Sequence, residues 1–402
     1  MRTAPIYLDY AATTPVDPAV AEAMMGCLTR EGLFANPASV AHRPGRAARD
    51  RVEAARAEVA ALIHAEPEEI VFTSGATEAN NLALAGVVRG LRPERDRIVV
   101  SAVEHPSVLD TARALAGEGV RVAVVGVDGD GRVDPGKLAA LLDERTALCS
   151  VMHVNNELGT VQDVARIGTL CRERGVLFHT DAVQSAGKIP IDVRRLPIDL
   201  LSLSAHKLYG PKGVGALYVR TDLPVGLAPL IHGGGHERGM RSGTLATHQI
   251  VGMGLAYRLA AERLAEDPPR IAALRDRLVA LLTAEGLGRL NAARAERVCG
   301  IASLTFPGVA GESLLYFLGE LAVSQGSACG SARGESSHVL KAIGLPPLDA
   351  HATLRFSLGR ETTEEEITRA ASLVRTAVQD LRRRAPRAAH AATGHRQAHG
   401  RD

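Results

Sequence analysis

Short apolar runs rich in β-branched residues alternate with helical patterns from about residue 70 to residue 220. This alternation predicts the α/β class, with a mainly parallel sheet covered by helices on both faces. Because ligands of such sheets bind beyond the carboxyl ends of the strands, residues just after each strand are the first candidates for chemistry. Seven strands are predicted, at 70–72, 98–100, 120–127, 147–154, 176–179, 200–203 and 215–219.

The pattern changes between about residue 255 and residue 380, where helical segments rich in Ala, Leu and Arg surround strands at 300–306 and 353–358. This change predicts a smaller α+β domain. Thr363 and Glu366 match a capping box, which predicts where the last helix begins. That helix has an apolar face made of Ile367, Ala371, Val374, Val378 and Leu381.

We divide the chain into four predicted parts. Residues 16–258 form a large domain, and residues 259–384 form a small C-terminal domain. An N-terminal arm at 1–15 belongs to the small domain. Residues 385–402, rich in Ala, His, Arg and Gly, form a basic tail that we expect to be disordered.

Charge and cysteine content narrow the function classes. With 47 Lys and Arg against 45 Asp and Glu, the formal net charge of +2 gives no reason to expect direct nucleic-acid binding. The five cysteines lack CxxC spacing, which argues against a disulfide framework or a zinc site and favours a reducing cytoplasm. No apolar run is long enough to span a membrane, and the first residues do not resemble a signal peptide.

Two charged residues follow neighbouring predicted strands. Lys207 lies between an apolar strand and a Gly-rich turn, where most lysines are solvated but a partly desolvated one is a candidate Schiff-base amine. Asp181 is either a helix cap or a carboxylate that keeps a pyridine nitrogen protonated. Together the two residues match what pyridoxal 5′-phosphate (PLP) requires.

The segment SGATE at 74–78 joins a strand to a helix. Its small residues would let backbone N–H groups approach a phosphate, with Thr77 adding a hydroxyl, although the same pattern suits an ordinary helix start. Ser204 and His206 are further candidate phosphate donors. His105 follows another strand and either stacks on a flat ring and relays protons or is a structural histidine.

Cys329 lies in the small-residue segment SQGSACGSARGE at 324–335. Such a segment cannot bury a thiol well, so we expect an exposed nucleophile there. The other four cysteines, Cys27, Cys149, Cys171 and Cys299, are interpreted as buried and inert.

Taken together, these segments resemble the cysteine desulfurases, in particular the type that serves iron–sulfur cluster assembly. The resemblance runs over nearly the whole chain and is carried by several specific stretches. These are YLDYAATTP at 7–15, TSGATE at 73–78, HVNNE at 153–157, HTDAVQ at 179–184, SAHKLYGPKG at 204–213, HGGGHERGMRSGT at 232–244, GSAC at 326–329 and LRFSLG at 354–359.

The resemblance implies fold type I of the PLP-dependent transferases, with a seven-stranded sheet, and a homodimer. It implies that Lys207 forms the Schiff base, Asp181 pairs with the pyridinium nitrogen and His105 stacks on the ring. Asn156 and Gln184 would bind near the ring hydroxyl. The phosphate would be held by Ala76, Thr77, Ser204 and His206, and by Thr244 of the other subunit. Arg355, Asn36 and Asn156 would bind the substrate.

The implied reaction removes sulfur from L-cysteine and leaves alanine. Lys207 would take the α-proton, His105 would assist proton transfers, and Cys329 would receive the sulfur as a persulfide. The sulfur would pass to an iron–sulfur scaffold protein or a tRNA-thiolation carrier. No resident metal is implied, although Cys329 could share a nascent [2Fe-2S] cluster transiently with a scaffold.

Two other functions stay open at this point. One is a related PLP lyase or aminotransferase, such as a selenocysteine lyase, which would not need Cys329. The other is a non-catalytic sulfur-relay scaffold that kept the fold. The sequence also departs from the family where GSARGESS follows Cys329 and where a basic tail replaces a Trp-bearing ending.

Overall fold

The computed structural model describes residues 5–326 and 337–384. Its main feature is a seven-stranded sheet with strand order β2-β8-β7-β6-β5-β3-β4. All neighbouring strands are parallel except β8, which runs antiparallel to β2 and β7. The strands are β2 Ile70–Thr73, β3 Arg97–Ser101, β4 Arg121–Val125, β5 Thr146–Ser150, β6 Leu177–Asp181, β7 Leu200–Ser204 and β8 Gly215–Val219.

Alternate residues of each strand face opposite sides of this sheet, and both sides are apolar. Ile70 and Phe72 join one buried cluster, whereas Val71 joins the other. Val99 lies on the first side and Ile98 on the second. Two-sided burial explains why these strands are apolar runs and not alternating patterns. The helices packed around the sheet are α1 Pro18–Met25, α2 Arg43–Leu62, α3 Ala76–Leu91, α4 Pro106–Gly117, α5 Pro135–Ala139, α6 Val164–Glu173 and α7 Thr247–Glu262.

A second core is built on the antiparallel sheet β12-β10-β9 and on a parallel pair formed by β1 and β11. The strands are β1 Ile6–Tyr7, β9 Arg289–Leu290, β10 Ile301–Thr305, β11 Leu321–Ala322 and β12 Thr353–Ser357. Around them lie α8 Asp267–Thr283, α9 Gly311–Phe317, α10 His338–Ala342, α11 Pro347–His351 and α12 Glu364–Arg384. This is the smaller α+β domain, and the N-terminal Ile6 and Leu8 are buried in its core.

The capping box predicted for the last helix is present. The Glu366 N–H donates to Thr363 Oγ1 at 3.2 Å, and the Thr363 N–H donates to Glu366 Oε2 at 2.9 Å. Ile367, Val374 and Val378 are fully buried below it. This helix therefore begins where its first N–H groups find side-chain acceptors.

All seven predicted strands are present, and the largest difference is at β5, predicted at 147–154 but ending at Ser150. Beyond Ser150, Val151 and His153 still donate to His179 O and Asp181 O of β6, at 3.2 and 3.0 Å. The apolar run thus continues along β6 after regular strand geometry ends. The domain limits 1–15, 16–258, 259–384 and 385–402 stay predictions. None of the helices in the described ranges has the length and apolar character needed to cross a bilayer.

Candidate active site

A cavity of about 420 Å³ lies at the carboxyl ends of β5, β6 and β7 and reaches Arg355 of the second sheet. Polar residues from several separate segments meet in it, as expected for an α/β sheet. The predicted site residues that line it are Ala76, Thr77, His105, Asn156, Asp181, Gln184, Ser204, His206, Lys207 and Arg355.

Lys207 comes shortly after β7, and its amine points back toward the N-terminal segment. Nζ donates to Ala11 O at 2.6 Å and to Ala12 O at 2.5 Å. Burial lowers the pKa of Lys207 to about 7, the positive charges of Arg355 and Lys188 add to the shift, and Asp9 and Asp181 oppose it. A substantial fraction of this amine is therefore uncharged near neutral pH, the form that attacks an aldehyde.

Asp181 ends β6 with a buried carboxylate. Oδ2 accepts from Asn80 Nδ2 at 2.8 Å, and Oδ1 accepts from the Val183 N–H at 3.0 Å. Asp181 therefore holds a local turn, since β6 is followed by β7 with no helix between them, and its carboxylate also faces the cavity. Asn80 Nδ2 also donates to Ser107 Oγ at 2.8 Å, which ties α3 to α4 behind the carboxylate.

His105 is the N-cap of α4, and its ring has a defined hydrogen-bonding pattern. Nδ1 accepts from the Ser107 N–H at 3.1 Å and lies 2.8 Å from Ser107 Oγ. The neutral ring therefore carries its proton on Nε2. Burial lowers the pKa of His105, Lys207 and His338 lower it further, and the negative Asp181 opposes them.

The start of α3 forms one wall of the cavity. Gly75 caps this helix with φ of 154°, and no atom lies within 4 Å of the position where a Cβ would be. The first N–H groups of an α-helix have no partners within the helix, so the turn at Ala76 and Thr77 offers donors to an anion. Lys212 lines the same cavity and adds a positive charge.

His206 lies beside this wall, with Nδ1 at 3.1 Å from Thr13 Oγ1. Burial lowers the pKa of His206 to about 4, and the nearby Lys207, Lys212 and Lys188 contribute to the shift. The ring is therefore neutral at physiological pH and can donate from only one nitrogen.

Arg355 extends from β12 into the cavity and is 2% exposed. Nη2 lies 2.7 Å from Asp9 Oδ1, and Nη1 donates to Asn156 O at 2.9 Å. Nε is buried and has no hydrogen-bond partner among the described residues. A buried guanidinium with one donor unused is suited to a carboxylate ligand.

Two of the predicted site residues that the structure describes do not line this cavity. Thr244 and Asn36 are exposed, and Asn36 Oδ1 accepts from the Ala38 N–H at 2.9 Å. Cys329 lies outside the described residues. Just before its segment, Ser324 O accepts from the Arg355 N–H at 2.7 Å, and just after it Ser337 Oγ donates to Glu157 Oε2 at 2.6 Å. The other four cysteines are buried, as predicted.

The sequence analysis missed four residues at this site: Asp9, Asn80, Ser107 and Lys212. Asp9 and Lys212 lie in the stretches YLDYAATTP and SAHKLYGPKG, so a signal was available for them. Asn80 follows Ala76 by one helical turn, which places both near the same end of α3. Ser107 had no signal, because its role depends on where α4 meets Asn80.

The residues of this cavity fit PLP. Its lining offers helix N–H groups, Ser204 and His206 to a phosphate, and also an amine and a carboxylate. No side chain projects from Gly75 and the space beside it is empty, so a bound phosphate could lie directly against the backbone there.

Comparison with known proteins agrees with this site. The family described as aminotransferase class-V matches residues 6–370. The Aeromonas hydrophila protein named cysteine desulfurase IscS is 54% identical over 382 residues, which are 95% of each chain. A solved structure of a NifS-like protein has a TM-score of 0.87 and 36% identity, covering 94% of this chain and 100% of its own. A second, SspA in complex with cysteine, has a TM-score of 0.79 and 38% identity, covering 89% and 99%.

The chain belongs to the class-V aminotransferase family and has its fold of PLP-dependent enzymes. Within that family it is a cysteine desulfurase, a sulfurtransferase that depends on PLP and acts on L-cysteine.

Proposed function

We propose that the 420 Å³ cavity is where L-cysteine loses its sulfur and that Cys329 accepts it as a persulfide. The observation that carries this proposal is the meeting of the Lys207 amine, the buried Asp181 carboxylate and the buried Arg355 guanidinium in one cavity. PLP, when bound, supplies an electron sink that stabilises negative charge at the substrate's α-carbon.

The first task of the residues is to hold the cofactor. Lys207 would bond its aldehyde carbon, and Asp181 would accept a hydrogen bond from the pyridinium nitrogen. His105, with its proton on Nε2, would stack on the ring. Asn156 and Gln184 would bind near the ring hydroxyl, while Ala76, Thr77, Ser204 and His206 would hold the phosphate. The lowered pKa of Lys207 supports the first assignment.

The second task is to orient the substrate. Arg355 would bind the α-carboxylate, with Asn156 and Asn36 completing the pocket. Because Nη2 is already paired with Asp9, the substrate carboxylate would share the guanidinium with Asp9 or displace it. The unused Nε supports the view that a further acceptor belongs beside Arg355.

The third task is proton and sulfur transfer. With the substrate bound, the Lys207 amine would take the α-proton on Nζ. The Cys329 thiolate would then attack the substrate Sγ. An S–S bond forms as the substrate's C–S bond breaks, and the electron pair of the broken bond stays with the carbon skeleton. Protonation of the β-carbon, with His105 Nε2 as a proton carrier, and return of the α-proton from Lys207 Nζ would give alanine.

We propose a homodimer in which Thr244 reaches the phosphate bound by the partner subunit. The exposure of Thr244 and the anchoring of its loop support this arrangement. Arg56 and Glu237 form a buried ion pair of 2.7 Å there, and Arg241 pairs with Glu78 at 2.8 Å. We place the enzyme in the cytoplasm, where the free thiols of Cys27, Cys149, Cys171 and Cys299 would persist.

We propose that Cys329 passes its sulfur to an iron–sulfur scaffold protein, with a tRNA-thiolation carrier as a further acceptor. The IscS name of the relatives supports this class of acceptor. No grouping of His, Cys, Asp and Glu suited to a metal occurs among the described residues. In this proposal, any [2Fe-2S] cluster at Cys329 is a transient cargo shared with a scaffold.

The test feeds ³⁵S-labelled L-cysteine to the wild-type enzyme, to Cys329→Ser and to the control Cys299→Ser. We expect reductant-releasable label on Cys329 in the wild type and the control, and neither label nor catalytic alanine formation in Cys329→Ser. Alanine formation without label on Cys329 would favour a simple lyase. A Lys207→Ala variant that keeps activity would contradict the assignment of the amine.

A further inference from the structure

Lys188 lies behind the cofactor cleft and has no part in the scheme above. Its Nζ donates to Gln184 Oε1 at 3.2 Å. Within residues 5–326 and 337–384, no carboxylate lies within ion-pair distance of this amine. Burying a lysine amine without a carboxylate partner costs free energy, which suggests that Lys188 has a specific role.

A short chain of hydrogen bonds joins Lys188 to Lys207. Gln184 Nε2 donates to Ala11 O at 2.9 Å, and the same carbonyl accepts from Lys207 Nζ at 2.6 Å. Gln184, Ala11 and Lys207 line both the cofactor cavity and a smaller cavity of about 50 Å³. Lys188 lines only the smaller one, so Gln184 forms part of the wall between Lys188 and the cofactor cleft.

The chemistry of a lysine fixes how Gln184 can point. An ammonium group donates and cannot accept, so it selects the amide oxygen of Gln184. Ala11 O only accepts, so it selects the amide nitrogen. The Gln184 amide is thereby held in one orientation, and its second Nε2 hydrogen remains for an acceptor in the cofactor cleft.

We propose that Lys188 is a positioning residue, which orients the Gln184 carboxamide toward the cofactor and places a fixed positive charge behind Lys207. The inference rests on the proposed role of this cavity. Lys188 touches neither substrate nor cofactor in this proposal and acts through Gln184 and through its charge.

The electrostatics of the neighbourhood agree with this role. Lys188 is among the groups that lower the pKa of Lys207, after burial and Arg355. Burial lowers the pKa of Lys188 itself, and the Cys299 thiol opposes that shift. Other titratable and charged groups face Lys188 and Lys207 or line the smaller cavity. They are Asp9, Asp181, His206, Tyr10, Tyr209, Arg263, Asp267 and Arg360.

The test is a pH titration of the visible absorbance of the bound cofactor, without substrate, in the holoenzyme. Lys188→Met removes the charge and the donor, Lys188→Gln removes only the charge, and Lys188→Arg keeps both. Lys137→Met removes an equal charge from an exposed site on α5 and is the matched control.

We expect the pH at the midpoint of the absorbance titration to rise by about one unit in Lys188→Met and Lys188→Gln. A nearby cation disfavours the protonated form of the titrating group, so removing the Lys188 charge should raise the pKa of that group. Lys188→Arg and Lys137→Met should keep the wild-type midpoint. The absorbance maximum should move in Lys188→Met only, where Gln184 is free to rotate. If Lys188→Met does not fold, the comparison of Lys188→Gln with Lys188→Arg decides the charge effect.

A wild-type midpoint in Lys188→Gln would overturn the electrostatic part, and an unchanged maximum in a folded Lys188→Met would overturn the positioning part. Neither readout requires turnover. Failure of sulfur to reach Cys329 would therefore refute the proposed function while leaving this result intact.

Discussion

Arg355 Nη2 and Asp9 Oδ1 lie 2.7 Å apart and join the second sheet to the N-terminal segment at the cofactor cavity. Arg355 is 2% exposed, whereas the Asp9 side chain is 18% exposed. The Arg355 guanidinium is therefore held by Asp9, a partner that is more exposed to solvent than Arg355 itself. This relationship bears directly on how a substrate carboxylate would bind.

Replacing Asp9 by Asn should lower the KM for L-cysteine several-fold. The substrate carboxylate would no longer compete with a carboxylate already paired to Arg355. Steady-state kinetics measure this, with Asp17→Asn as a control that removes a carboxylate from another arginine, Arg360. A raised KM would mean that Asp9 orients Arg355 and does not compete with the substrate.

Replacing Arg355 by Lys should raise the KM for L-cysteine about 100-fold. Lysine keeps the charge but loses the planar fork that binds a carboxylate with two parallel hydrogen bonds, a loss of about 2 to 3 kcal/mol. The same kinetics measure it, and cofactor absorbance reports whether the site stays loaded. An unchanged KM with a normal spectrum would remove Arg355 from the substrate pocket.

Reloading of the cofactor-free enzyme with PLP should speed up as pH rises from 6 to 8 and then level off. Only the uncharged amine attacks an aldehyde, and the pKa of Lys207 lies at about 7 because of burial and neighbouring cations. Below that pH most of the amine is protonated, so the reloading rate falls with each further unit by which the pH is lowered. Recovery of the cofactor's absorbance measures the rate. A rate that keeps rising toward pH 10 would show an ordinary lysine.

Glu237→Gln should destabilise the protein by about 3 to 5 kcal/mol, because it leaves the buried Arg56 guanidinium without its main counter-charge. The Glu237 side chain is 2% exposed, and its Oε2 also accepts from the Phe72 N–H at 2.7 Å. Urea unfolding measures the loss.

The matched control for that experiment is Glu53→Gln, which removes the other partner of Arg56. Its side chain is 51% exposed, so the loss should stay under about 1 kcal/mol. Equal losses in the two variants would contradict the argument that burial decides the strength of this pair.

Brief treatment of the native enzyme with iodoacetamide should modify one thiol quickly. Cys27, Cys149, Cys171 and Cys299 are buried. Burial raises the pKa of Cys27 and Cys299, and a hydrogen bond with Cys171 together with burial raises the pKa of Cys149, which keeps these thiols protonated. Mass spectrometry of the digested protein locates the label. Rapid labelling of any of these four in place of Cys329 would contradict the proposed division of roles.

Local sequence patterns were sufficient to predict the helices and strands and most of the site residues that line the cavity. Asp181 and Lys207 each follow an apolar strand, and parallel strands bring their carboxyl ends to one edge of a sheet. The stretch YLDYAATTP contains Asp9 but does not show that Asp9 pairs with Arg355, and no local pattern pointed to Ser107. Their importance comes from contacts with Arg355 and Asn80, which are distant from them in the chain.

The sequence by itself determined the α/β alternation, the capped last helix, the four buried cysteines and the family to which the chain belongs. These features depend on short-range periodicity and on specific local stretches. Only the tertiary structure decided that Arg355 pairs with Asp9 and that Gln184 is held against Ala11, between Lys188 and the cofactor cavity. Each of these depends on burial and on the partner met across the fold, which no local pattern encodes.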